Sequence, residues 1–286
     1  MAHRHRGFTL VEIVVVIVIM AILIAMAAAL TRGVVAGQKR SLTATRMQAV
    51  EAALVQFVIQ QRRLPCPANG TIASTDAAAG TETARNATTG CSTNQQGGVV
   101  PWRALGLAEA DATDGWDRRV SYRVDPQLTA DNGMNMSWCD PAGTGGVGTP
   151  PNFCLETCVS SNLALCTSPT NFLSGRGLQV RKSDGATKLM DPLATAPHTG
   201  AAYVAISHGE SGGGGYLGSG TLGASSAGDG TEEMKNYASL PYAGAATYYV
   251  DASLNEAPTT AHFDDIVSRP SVLAVITKAG LGPRSH

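Results

Sequence analysis

A single carboxylate lies inside the most apolar stretch of the chain. Residues 8–30 form a run of 23 residues in which Thr9 and Glu12 are the polar side chains. As a helix this run would be roughly 35 Å long, enough to span a hydrocarbon core of about 30 Å. A charge inside a span costs on the order of 3 kcal/mol. Glu12 therefore either has a function there or lies near enough to the end of the span to reach the lipid headgroups.

The cysteines are the second group that could do chemistry. There are six, at Cys66, Cys91, Cys139, Cys154, Cys158 and Cys166. Six cysteines behind an apolar span indicate an oxidising compartment and one to three disulfides. Cys66 and Cys91 bracket a loop rich in Ala, Thr, Gly and Asn, which favours a disulfide between them. The spacing of Cys154 and Cys158 also suits zinc, but no histidine lies nearby, so we favour disulfides.

Ser207, His208 and Glu210 carry the side chains of a hydrolytic triad. Neighbouring residues in a strand point to opposite faces, so we expect no triad. The glycine-rich tract that follows lacks the Lys-Ser/Thr of a phosphate-binding loop. We therefore predict that the protein is not an enzyme. The net charge of −1 does not favour binding to nucleic acid.

One long helix must position these residues. No proline occurs between residues 8 and 64, and Pro65 disfavours helix at the preceding residue. We predict a helix over 8–63, about 80 Å long, whose half at 8–30 is transmembrane and whose half at 31–63 is amphipathic. The apolar face of the second half is predicted at Met47, Val50, Leu54, Phe57, Val58 and Gln61. Gly33 and Gly37 are either helix-packing points or a weak spot.

The remaining residues, 64–286, read as a globular domain with short strands. Residues 118–125 alternate and predict a half-buried strand, residues 177–182 and 187–190 a hairpin, and residues 201–207 and 246–250 further strands. A short helix is predicted over 268–280, capped by Ser268. Gly-rich turns and the lack of strand–helix alternation favour an antiparallel sheet. The fold class is thus α+β, a long N-terminal helix packed on a small antiparallel sheet, with a loop-rich, cysteine-containing insertion at about 126–176.

Residues 7–12, Gly-Phe-Thr-Leu-Val-Glu, begin with the last residue of the basic leader MAHRHRG and open the apolar run. This segment resembles the type IV prepilin signature shared by type IV pilins and type II secretion pseudopilins. The segments Asp114-Gly115-Trp116, Ile206-Ser207-His208-Gly209 and Asp264-Asp265-Ile266-Val267 are similar to parts of the pseudopilin sheet. The glycine that usually follows the tryptophan is Asp117 here, so the turn is not identical. Trp116 and Tyr122 are predicted to lie in the core.

The resemblance implies processing and assembly. Prepilin peptidase would cut between Gly7 and Phe8, release the leader 1–7 and methylate Phe8. Glu12 would pair with the cationic Phe8 terminus of a neighbouring subunit. The implied fold is the pilin fold, with the N-terminus cytoplasmic, one pass through the inner membrane and the globular domain periplasmic. Implied partners are other pilins or pseudopilins, the prepilin peptidase and the inner-membrane assembly platform of the filament.

The same resemblance bears on metal and on function. Some major pseudopilins bind calcium near the C-terminal end of the sheet, which makes Asp264 and Asp265 calcium candidates, with solvated turn residues as the other interpretation. No other cofactor is expected. We predict a structural subunit, a minor pseudopilin or a minor pilin. The alternatives are a membrane-anchored periplasmic binding protein or enzyme, and a filament-tip adhesin that binds a surface or DNA.

Overall fold

The computed structural model of this chain describes residues 10–92, 98–136, 172–195, 198–225, 229–237, 247–257 and 259–282, with only the backbone described for 27–32. An N-terminal helix is followed by an antiparallel sheet, so the fold is α+β, as predicted. Cys139, Cys154, Cys158 and Cys166 lie outside the described residues, and so do Gly7 and Phe8.

Helix α1, Leu10–Gln61, is the longest element, with 52 residues and a length of about 80 Å. It continues through Gly33 and Gly37 without a break, so this pair does not weaken the helix enough to end it. Arg62, which follows the last helical residue, takes a left-handed conformation with φ 55°. The helix therefore ends two residues before the predicted Arg63.

One stripe of α1 packs on the globular domain. The buried side chains recur every three or four residues, as expected for an amphipathic helix, and are Thr43, Met47, Val50, Leu54 and Val58. Two members of the predicted face are wrong. Phe57 is only partly buried, beneath the guanidinium of Arg63, and Gln61 is exposed.

The main sheet has the order β1-β4-β6-β9-β12, and its pairs are antiparallel. Its strands are β1 Ala68–Asn69, β4 Gly98–Val99, β6 Ser121–Val124, β9 Tyr203–Ser207 and β12 Ile266–Ser268. The predicted half-buried strand is buried on both faces, because every residue of β6 is inaccessible to solvent. One face contributes Tyr122 and Val124 to the core beneath α1, and a second layer covers the other.

This second layer is a small sheet with the order β11-β7-β8. Strands β7, Gln179–Arg181, and β8, Lys188–Met190, form the predicted hairpin. Its turn is held by Asp184, whose side chain accepts hydrogen bonds from Thr187 that lower the pKa of Asp184 to about 2. Strand β11, Tyr248–Val250, pairs with β7 in parallel, so the expectation of antiparallel pairing is wrong here. No tight turn joins β7 to β11, and hence no turn dictates their direction.

Helix α2, Val272–Lys278, closes the described chain and packs on the main core. Its cap is Ser271, whose Oγ accepts a hydrogen bond from the Ala274 N–H at 3.2 Å. The predicted cap, Ser268, is wrong, because it is the last residue of β12 and its hydroxyl donates to Glu51 of α1. Gly280, with φ +69°, lies just beyond the helix, as predicted.

Short elements complete the described parts of the chain. They are strands β2 Arg85–Asn86, β3 Gly90–Cys91, β5 Arg118–Arg119 and β10 Tyr216–Leu217, and 3₁₀ helices Glu109–Ala112, Pro126–Leu128 and Glu233–Asn236. Strand β5 pairs with β10 and β2 with β3, both antiparallel. The loop between Cys66 and Cys91 therefore contains regular structure.

Candidate assembly surface and candidate metal cluster

A turn at Asp114 attaches the globular domain to α1. Its Oδ1 accepts hydrogen bonds from the backbone N–H groups of Trp116 and Arg118 at 2.8 and 3.0 Å. Its Oδ2 accepts one from the Ser207 hydroxyl at 2.7 Å. The carboxylate thus closes the turn and ties it to β9.

The same turn contacts the helix directly. The Gly115 N–H donates to Thr43 Oγ1 at 2.9 Å, and the Arg46 guanidinium donates to the Thr113 and Asp114 carbonyls, at 3.0 Å each. A side chain at Gly115 would overlap the backbone of Lys39, so only glycine allows this approach. These contacts explain why Thr43, a polar residue, belongs to the buried stripe.

Asp117 stands where the similar segment usually has glycine, and it adopts φ 63°. That left-handed conformation favours glycine, and aspartate is among the few other residues that tolerate it. Asp117 therefore takes a backbone conformation here that glycine would also accept. Tyr122 lies fully in the core, as predicted, whereas Trp116 is only partly buried.

The other half of α1 exposes apolar side chains. From Leu10 to Met26, the large hydrophobic residues are between 49% and 79% exposed. We call residues 10–26 the assembly surface. Exposed apolar area of this extent marks an interaction site rather than an ordinary solvated face. Glu12 lies within it, exposed like its neighbours.

Within the described residues, no helix meets the combined length and apolarity needed to cross a membrane. The transmembrane assignment of residues 8–30 stays a prediction, as does cleavage between Gly7 and Phe8.

The predicted disulfide between Cys66 and Cys91 is present, with an S–S distance of 2.16 Å. It fastens the loop beside the end of α1. Arg63 pairs with Glu82 of that loop at 2.5 Å, and the Cys91 N–H donates to Thr129 Oγ1 at 2.8 Å. The disulfide and these two contacts together join the segment after α1, the loop and the segment at Thr129.

Ser207, His208 and Glu210 do not converge. Ser207 bonds to Asp114, while His208 Nε2 lies 2.9 Å from Ser121 Oγ and its Nδ1 lies 3.6 Å from Asp265 Oδ1. This row of contacts, Ser121–His208–Asp265, has the residue types of a hydrolytic Ser-His-Asp triad. Ser121 and His208 are 0% exposed, however, so these contacts connect β6, β9 and the approach to β12 as part of the core.

Three potential metal ligands meet beside the Ser121–His208–Asp265 contacts. The Glu233 and Asp264 carboxylates and the His262 imidazole place one ligand atom each within 4.8 Å of one another. Glu233 Oε2 lies 2.8 Å from His262 Nδ1. Glu233 Oε1 accepts the Asp264 N–H at 2.8 Å. We call these three residues the metal cluster.

The two aspartates predicted from the sequence take different partners. Asp264 accepts hydrogen bonds from the Ser211 N–H and hydroxyl, at 2.7 and 2.9 Å. Asp265 accepts one from Asn236 Nδ2 at 2.8 Å and faces His208. The sequence reasoning missed Glu233 and His262. A usable signal for His262 was its position two residues before Asp264, which places both side chains on one side of an extended segment.

Burial dominates the electrostatics here. It raises the pKa of the Glu233 carboxyl and of the Asp265 carboxyl. Burial would lower the pKa of His262, but its hydrogen bond and attraction to Glu233 outweigh this, so that pKa is raised as well. Burial and a hydrogen bond to Asp229 raise the pKa of Tyr237. Burial therefore disfavours the ionised form of the Glu233 and Asp265 carboxyls.

Comparison with known proteins finds a likeness at the N-terminus. The family model of the prokaryotic N-terminal methylation motif matches residues 2–28. Neither the curated proteins nor the solved structures yield a match. The matched residues contain all of the basic leader except Met1, the Gly7-Phe8 pair, Glu12 and most of the apolar run. The chain thus carries the signature of type IV pilin-like proteins made as prepilins.

Proposed function

We propose that the protein is a structural subunit, a minor pseudopilin or minor pilin, of a type II secretion or type IV pilus-like filament. The observation that carries this proposal is the division of α1. Its C-terminal half is docked on the globular domain, and its N-terminal half leaves apolar side chains exposed. Such a surface needs either lipid or the helices of neighbouring subunits.

The division suits a subunit that exchanges one apolar environment for another. Before assembly, residues 8–30 lie in the inner membrane, with the N-terminus in the cytoplasm and the globular domain in the periplasm. The disulfide supports that side for the domain, because such bonds persist in oxidising compartments. After assembly, the same residues pack against neighbouring copies or related pilins.

Glu12 acts in the transfer to the filament. Prepilin peptidase removes residues 1–7 and leaves Phe8 as a methylated, cationic terminus. Glu12 of one subunit pairs with that terminus on the next. In a low-dielectric layer, opposite charges offset their desolvation only if they meet closely, so the pair also sets the position of one subunit against the next.

Processing by prepilin peptidase tests this function. When the full chain is produced together with the peptidase, we expect intact-mass analysis to find the loss of residues 1–7 and one added methyl group on Phe8. Cells without the peptidase are the control and should retain the leader. A chain that keeps Met1 in both cases would favour a membrane-anchored binding protein or enzyme instead.

A further inference from the structure

We propose that Glu233, His262 and Asp264 bind a divalent transition-metal cation, with Zn²⁺ the best chemical match. The inference is independent of filament assembly. One imidazole nitrogen and two carboxylate oxygens lie within 4.8 Å of one another. Three protein ligands that leave a further position open form a common zinc arrangement. Calcium instead requires six or more oxygen ligands, and imidazole favours zinc and its transition-metal neighbours.

The first argument is the charge buried around the metal cluster. Glu233, Asp264 and Asp265 are 1%, 3% and 7% exposed. Among the described residues, the ion pairs that Glu233 and Asp265 form are with His262 and His208, and neither involves Lys or Arg. Buried carboxylates that are paired only with imidazoles, whose charge depends on protonation, are costly. A bound dication would offset that cost.

The second argument comes from His208, which is 0% exposed. In the part of the chain that the structure describes, its Nδ1 has no hydrogen-bond partner. That atom points at Asp265 from 3.6 Å, beyond hydrogen-bond range. The buried imidazole thus has one unpartnered nitrogen, which faces the segment that carries His262 and Asp264.

The ligand side chains are also held in place by outer contacts. The N–H groups of Gly230 and Asp264 donate to Glu233, and Ser211 donates to Asp264 through its N–H and hydroxyl. Such outer hydrogen bonds orient metal ligands and strengthen binding. The carboxylates are thus held in position, and a bound ion would replace the hydrogen bond between His262 and Glu233.

A route for the ion exists at His262. This residue is only half-buried and borders a cavity of about 690 Å³ that is also lined by Glu232, Asn255 and Thr260. The cavity connects the metal cluster to solvent. An ion arriving there meets the imidazole first and the more deeply buried carboxylates behind it.

Zinc titration tests the proposal. The full-length chain is kept in detergent and is treated with a chelator before the titration. We expect saturable Zn²⁺ binding and a rise in Tm of about 5–10 °C at a hundredfold excess over Kd. Equal concentrations of Ca²⁺ should give a much smaller rise. The variants H262Q and D264N should each weaken Zn²⁺ binding by at least about tenfold.

The leader histidines, His3 and His5, offer zinc a second place to bind, so the comparison with H262Q decides the site. The matched control is H198Q, which removes a histidine outside the metal cluster and should bind Zn²⁺ like the wild type. Circular dichroism tests whether each variant is folded. If H262Q is not folded, D264N takes its place in the comparison of Zn²⁺ affinity. Unchanged Zn²⁺ affinity in the folded variant, absence of binding by the wild type, or a preference for Ca²⁺ would each overturn the proposal.

Discussion

Replacing Glu12 with alanine is expected to remove the chain from filaments while leaving membrane insertion and leader cleavage intact. Cleavage precedes assembly, and the substitution makes the apolar run more apolar. The partner, the cationic Phe8 terminus of the neighbouring subunit, would lose its counter-charge. Breaking a buried pair from one side costs about 3–5 kcal/mol, so incorporation should fall by more than about a hundredfold. Quantitative blotting of sheared filaments and of membranes measures both pools.

Two further variants make the Glu12 experiment specific. E12D keeps the charge and should restore part of the incorporation, whereas E12Q keeps the size and should behave like alanine. Gln38→Ala, an exposed position on the same helix but outside the assembly surface, is the matched control and should assemble normally. Normal amounts of the Glu12→Ala variant in filaments would refute the pairing role.

Replacing Cys66 and Cys91 together with serine is expected to lower the free energy of unfolding by about 3–4 kcal/mol. The bond closes a loop with a sequence separation of 25, and its loss restores conformational freedom to the unfolded chain. It also loosens the contact of Glu82 with Arg63, just past the end of α1, and that of Thr129 with Cys91. Guanidinium unfolding of the full chain in detergent, followed by circular dichroism, gives the value.

The double substitution replaces both cysteines of the bond, so neither is left behind as a free thiol. Replacing both cysteines with alanine separates the loss of the cross-link from the effect of burying two hydroxyls. The free energy of unfolding of the alanine variant should lie within about 1 kcal/mol of that of the serine variant. A free energy of unfolding equal to that of the wild type would show that the cross-link does not stabilise this fold.

Local signals predicted the long helix well. An uninterrupted apolar run and the absence of proline act through neighbouring residues, so α1 ends within two residues of its predicted end. Tertiary contacts were harder to predict from the sequence. Thr43 is buried because a turn more than 70 residues away donates to it, and nothing in the helical periodicity marks that contact.

The same distinction separates the two sites. Cys66 and Cys91 bracket one loop, and the compartment inferred from the apolar run favours their oxidation, so their pairing could be predicted. The metal cluster could not, because Glu233 and His262 are 29 residues apart and meet only through tertiary contacts between a 3₁₀ helix and the segment before β12. The parallel pairing of β11 with β7 was missed for a similar reason, since no short turn connects them.

Mass spectrometry of filaments sheared from cells that produce the chain at its natural level tests the central claim most directly. The claim is that a processed helix enters a filament through its exposed apolar half. We predict that the filament fraction contains a peptide that begins with N-methylated Phe8. Absence of the chain from that fraction, or its presence only with Met1 intact, would contradict the account.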